Sequence, residues 1–171
     1  MKRQRQAGLM VLCVGFSPLC GAEVTDSKDI TVQGKIIASP CMVEQPNINV
    51  NLGDTIRMND LATAGSFTEW VSFTLRVYHC PPQITTATVT FNGAADVSNP
   101  DFRYQNSGTA TNVAVELLTT DGMPLGNDKS LTGAIVNQEY TWNLRARVWT
   151  ETGSVKPGTV SAVVSATLTY Q

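Results

Sequence analysis

An all-β fold of two packed sheets is what this sequence predicts, on three observations. Val, Ile and Thr supply 46 of the 171 residues, and such β-branched side chains favour a pleated, half-buried surface over a helix. Alternation of apolar and polar residues on a period of two recurs along the chain, while helical periodicity is scarce after Ala22. Gly, Pro, Asn and Asp clusters punctuate these runs at the spacing of strands and turns. The length gives room for one domain with a core of its own and for no second one.

Taken in order, the first 22 residues read as an export signal. Lys2, Arg3 and Arg5 make a basic start, Leu9 to Leu19 an apolar stretch too short to span a bilayer, and Cys20-Gly21-Ala22 a small-residue cleavage site. The bulky Leu19 before Cys20 argues against a lipoprotein anchor. Cleavage after Ala22 lowers the 12 basic side chains to nine against 14 acidic ones, a net of −5. It also removes Cys13 and Cys20. Cys41 and Cys80 remain in a protein bound for an oxidising compartment, where a pair is usually a disulfide; without C-x-x-C spacing or further ligands, a thiol metal site or redox pair is the weaker alternative.

Glu23 to Asp29 is mostly polar and charged, and it leads into the alternating run Ile30 to Ile36. That run precedes the first body strand, Lys35 to Val43, with only one glycine between them. It is therefore expected to continue in line with the strand and project as an arm, the other reading being the first half of a long edge strand. Ile48 to Leu52 follows as a short strand before the turn Gly53-Asp54. Val71 to Val77 puts Val71, Phe73, Leu75 and Val77 on one face, and Thr86 to Phe91 does the same with Ala87, Val89 and Phe91. Ala94 to Ala110, rich in Asn, Ser, Asp and Gly, reads as a long loop or irregular edge. Val113 to Leu118 is a strand, Asp121 to Pro124 a turn, and Glu139 to Thr150 a strand with Trp142, Leu144, Ala146 and Val148 sharing a face. Val160 to Gln171 closes the series, with Ala162, Val164, Ala166, Leu168 and Tyr170 together. Strands at this spacing, with a disulfide and no long helix, point to a sandwich of immunoglobulin type. The last strand leaves no chain to pair beside it, so its edge is expected to lack an intramolecular partner. An unpaired apolar edge and a projecting alternating arm are the two halves of a β-augmentation contact.

Composition narrows the function. A pI near 5.3 and a formal charge of −2 leave no basic stripe for nucleic acid. His79 is the sole histidine and reads as a partly exposed turn residue, and the carboxylates are spread without a singled-out pair. No catalytic residue, metal ligand, cofactor or small-molecule substrate is assigned. Trp70, Trp142 and Trp149 are read as core and sheet-face residues, a sugar-stacking platform being the alternative.

The run Asp29-Ile30-Thr31-Val32-Gln33-Gly34-Lys35-Ile36-Ile37-Ala38-Ser39-Pro40-Cys41 resembles the donor extension and first strand of pilins assembled by the chaperone–usher pathway. Tyr78-His79-Cys80-Pro81, Phe91 to Asp96, Gly108 to Val113 and the C-terminal run with penultimate Tyr170 match as well. The likeness spans the mature chain and is greatest to minor, tip-adaptor subunits of type 1 fimbriae. It implies an incomplete immunoglobulin-like sandwich lacking its last strand, with residues 1–22 as signal peptide, 23–34 as donor arm and 35–171 as pilin domain. It also implies export through the periplasm to the cell surface as part of a fimbrium, with a periplasmic chaperone, an outer-membrane usher and neighbouring subunits as partners. Ile30, Val32 and Ile36 would plug a neighbour's groove, with Gly34 where only a hydrogen fits. Cys41 and Cys80 would form the family disulfide, and Val164, Ala166, Leu168, Tyr170 and Gln171 would form the acceptor edge and chaperone-binding strand. Glu23 to Ser27 are extra residues relative to the family's arm. A shaft pilin is the alternative within the family, and a sugar-binding tip module a more distant one.

Overall fold

A computed structural model describes residues 40–171. The expected signal, the arm with Ile30, Val32, Gly34 and Ile36, and the start of the first strand lie outside the described residues.

Among the described residues, eight strands form two antiparallel sheets. They are β1 (Met42–Val43), β2 (Val71–Tyr78), β3 (Thr86–Gly93), β4 (Arg103–Gln105), β5 (Ala114–Thr119), β6 (Lys129–Ala134), β7 (Tyr140–Trp149) and β8 (Val164–Tyr170). One sheet has the order β1-β2-β7-β5-β4 and the other β6-β3-β8. This is the immunoglobulin-like sandwich expected from the alternation, in the incomplete form that the resemblance implies. Leu75, Val77, Ala87, Val89, Phe91, Trp142, Leu144, Ala146 and Val148, all assigned to inner faces, are buried. Cys41 and Cys80 are bonded, with Cα atoms 4.2 Å apart, and tie the segment before β1 to the end of β2.

Four regions differ from the sequence expectation, one being the last strand, which begins at Val164 and not at Val160 because residues 159–161 bond to the loop after β4 instead of β3. Ile48 to Leu52 makes no ladder, although Ile48, Val50 and Leu52 are half-buried and their neighbours are exposed. Alternation there survives as side-chain anchoring alone, because no strand lies within hydrogen-bonding reach among the described residues. The 94–110 region carries the short strand β4, paired with β5 through Arg103↔Glu116 and Gln105↔Ala114. The fourth is β6, a strand that alternation does not announce. Its pairing with β3 is reinforced by hydroxyl contacts of 2.8 Å, Thr88 with Thr132 and Thr90 with Ser130.

Candidate functional site

β8 is the odd strand of the sandwich. It bonds β3 along one side, from Ala87↔Tyr170 to Gly93↔Val164, and has no partner along the other among the described residues. The inner-face residues of β7 are buried, but those of β8 are not: Val164 and Leu168 are half-buried and Ala166 is exposed. Strand propensity put the same alternation in both; only β7 has neighbours on both sides.

Beside this edge runs a groove of about 1340 Å³. Val160, Ala162, Val164, Ala166 and Leu168 form one wall. The opposite wall is the segment Gln45 to Met58, anchored through Ile48, Val50, Leu52 and Ile56. Phe73, Leu75, Phe91, Leu117 and Leu144 floor it, and its charged side chains are Asp54, Arg57 and Lys156. Tyr104 brings the one phenol into the floor, and its hydroxyl donates to the Leu125 carbonyl oxygen at 2.8 Å. Burial pushes that phenol's pKa well up, so the group is neutral and internally satisfied. Such a lining can take apolar side chains but offers nothing that would activate a nucleophile.

The backbone of the wall adds direction. Gln171 and Thr86 exchange both of their bonds, Gln171 N–H to Thr86 C=O at 3.0 Å and Thr86 N–H to Gln171 C=O at 2.9 Å. Antiparallel pairs alternate, so Thr169, Thr167 and Ser165 also bond toward β3, while Tyr170, Leu168, Ala166 and Val164 turn their N–H and C=O groups to the open side. The same parity continues upstream. Ser161 and Thr159 accept from Ser107 N–H at 2.8 Å and Ala110 N–H at 3.0 Å on the body side, leaving Ala162 and Val160 facing out. The open edge thus runs from Val160 to Tyr170, further than β8 itself. Of the expected acceptor residues, Val164, Ala166 and Leu168 line the groove, whereas Tyr170 and Gln171 lie past its end, against the start of β3. Val160, Ala162 and the Ile48–Ile56 wall join the site without having been assigned to it.

The tryptophans do not share one platform. Trp142 is buried in the core, and Trp70 and Trp149 lie on the outer face of the five-stranded sheet among arginines. The Arg147 guanidinium sits 3.7 Å from the Phe67 ring centre and 4.0 Å from that of Trp70, Arg145 sits 4.5 Å from Trp70, and Arg103 4.2 Å from Trp149. Buried Glu116 lies between Arg147 at 2.6 Å and Arg103 at 3.8 Å, and Arg103 reaches Glu151 at 2.6 Å. The Arg103 guanidinium holds the Glu151 carboxyl below its ordinary range. Arg145, Arg147 and Trp149 alternate in sequence, which is the signal that they share a face.

Comparison with known proteins follows the same line. Residues 30–171 match the family described as fimbrial protein. The chain belongs to that family. It is similar to protein FimG of Escherichia coli K12, 34% identical over 162 residues that cover 94% of this chain and 92% of FimG. Among solved structures it is similar to the P pilus rod subunit PapA, with a TM-score of 0.67 at 18% identity over 78% of this chain and all of PapA. The P pilus adaptor subunit PapF superposes with a TM-score of 0.56 at 15% identity, over 80% of this chain and all of PapF. These two likenesses concern the fold. The protein is a structural subunit of a chaperone–usher surface fimbrium, a pilin that joins other pilus subunits, and not an enzyme.

Proposed function

We propose that this pilin polymerises by donor-strand exchange and serves as an adaptor near the tip of its fimbrium. The observation that carries the reading is the unpaired Val160–Tyr170 edge beside an apolar groove, in a chain whose residues 30–36 alternate as a donor strand must. A periplasmic chaperone fills the groove during export; the arm of a neighbouring subunit replaces it at an outer-membrane usher. This subunit's own arm, with Ile30, Val32, Gly34 and Ile36 facing inward, enters the next groove in turn. Burying three aliphatic side chains there contributes roughly 5 to 9 kcal/mol relative to leaving them exposed, and exchange is driven by as much of this as exceeds what the chaperone's strand buries. Tyr170 and Gln171, beyond the groove's end, dock the chaperone. The adaptor position is favoured over the shaft by the likeness to FimG.

Deletion of Glu23 to Gln33 tests the arm. Folding with the chaperone should persist while incorporation beneath a neighbour is lost, and Val32→Asp should act similarly because a carboxylate would enter an apolar slot without a partner. Fibres of normal length and tip composition from both variants would refute the exchange. Cross-linking of this subunit to its two neighbours in an assembled fibre decides adaptor against shaft: contact with a different subunit on each side fits an adaptor, and contact with copies of itself on both sides a shaft pilin.

A further inference from the structure

The upper wall of the groove is held by a side chain outside it. Asn106, just past β4, bonds four backbone groups through one amide. Its Oδ1 accepts from Gly108 N–H at 3.0 Å and Ser161 N–H at 2.8 Å, and its Nδ2 donates to the Ala110 oxygen at 2.8 Å and the Thr159 oxygen at 3.4 Å. Around it, Thr109 N–H donates to Thr159 Oγ1 at 3.0 Å and Thr159 N–H to Thr109 Oγ1 at 2.9 Å. Two glycines let these segments meet. A Cβ on Gly108 would lie 2.1 Å from the Thr159 oxygen, and one on Gly158 would lie 2.3 Å from the Ala110 nitrogen. Residues 159–161 therefore take their partners from the loop after β4, on the edge of the five-stranded sheet, although they lead directly into β8 of the three-stranded one.

We propose that Asn106 is a positioning residue for the incoming strand: by fixing Thr159 and Ser161 on the body side, it presents Val160 and Ala162 to the groove as two ready-made rungs of the edge. The inference rests on the donor-strand reading above. It assigns to Asn106 the length of edge that a donor can use. With the amide present, the donor meets six outward-facing residues from Val160 to Tyr170; without it, Thr159 and Ser161 keep only their bonds to Ser107, Thr109 and Ala110, and the Val160–Ala162 part of the edge is held less firmly than the part that β3 pairs. A wall already held in its bound form saves the ordering that a loose segment would need on binding.

The test measures dissociation of synthetic peptides from the full chain. One peptide carries residues 28–38 of this sequence, long enough for the whole edge, and two others lack four residues from one end or the other. In Asn106→Ala the full peptide should bind about fivefold more weakly, the effect of one ordinary hydrogen bond. One trimmed peptide should bind the variant and the wild type equally, and the other should retain the fivefold loss. Thr159→Val, which removes an exposed hydroxyl, should give a smaller loss with the same dependence on which end is trimmed, so that misfolding of the alanine variant would leave a decision in hand. Equal weakening of all three peptides, or of none, overturns the role of Asn106 and leaves the groove standing. A wild type that binds neither the 28–38 peptide nor the arm peptide of the neighbour that cross-linking places at its groove overturns the donor-strand reading and this inference with it.

Discussion

The groove beside β8 and the outer face of the five-stranded sheet place apolar and aromatic surface at opposite sides of one sandwich, and they treat it differently. On the outer face, Phe67, Trp70 and Trp149 are covered by guanidinium groups, and the buried charge of Glu116 is answered from both sides by Arg103 and Arg147. In the groove, Ala166 is exposed and the facing Ile48–Leu52 segment has no ladder partner among the described residues. The difference lies in what is left over. A ring face is satisfied by a side chain from the neighbouring strand. A row of backbone N–H and C=O groups is satisfied only by another backbone, or by water where water can reach it. The ring faces of the first region thus find cations within the chain, although Phe67 stays half exposed, whereas the edge of the second calls for a strand from elsewhere.

The largest effect expected from separating the two regions comes from Glu116→Leu. It leaves buried Arg103 and half-buried Arg147 without their shared carboxylate, Arg103 keeping Glu151, and should cost about 3 kcal/mol in urea unfolding. Affinity for a donor peptide, measured where the variant is still folded, should not move. Leu168→Asp is its mirror image. Leu168 is half-buried, so the free protein should lose about 1 kcal/mol or less, whereas donor-peptide binding measured by titration should weaken by roughly a hundredfold or more, since the occupied groove would bury an unpaired carboxylate. A smaller change is expected of Arg145→Ala, which removes one of the two cations over Trp70 and should lower stability by about 0.5 kcal/mol with peptide binding intact.

The smallest effect is one of pH. Arg103 depresses the Glu151 carboxyl, so the folded-state pKa lies below the unfolded one. Its stabilisation is present above the ordinary glutamate pKa of about 4.3 and is lost as pH falls through the folded value. Unfolding midpoints followed from pH 6 downward should therefore drop less steeply in Glu151→Gln than in the wild type, with a difference that shrinks in high salt because the carboxylate is exposed.

The sequence shows the sandwich clearly where both sides of a strand are occupied. In β7 and β3 the alternation translates directly into burial, since each has neighbours on both sides. It is less informative where pairing and patterning part company. Ile48, Val50 and Leu52 alternate as well as many strand residues do, yet a ladder needs a partner backbone that no local pattern can specify. The Lys-Ser-Leu-Thr-Gly-Ala run of β6 has the opposite problem, with Leu131 as its one large apolar residue and Gly133 interrupting the pattern. Its place is set by register with β3, a non-local fact. The apolar face of β8 was legible because its alternation sits in one stretch of chain. Its start at Val160 was legible too, but not that residues 159–161 would bond to the loop after β4 and not to β3, because those partners lie about fifty residues away in sequence.

Hydrogen exchange read residue by residue tests the open edge most directly, on the full chain with and without the synthetic 28–38 peptide and under conditions where exchange is local. Val160, Ala162, Val164, Ala166, Leu168 and Tyr170 should gain protection when the peptide binds, while Thr159, Ser161, Ser165, Thr167 and Thr169, already bonded toward the body, should stay as they were. Equal gains in both sets, or gains in neither with peptide bound, would contradict a donor strand pairing along this edge.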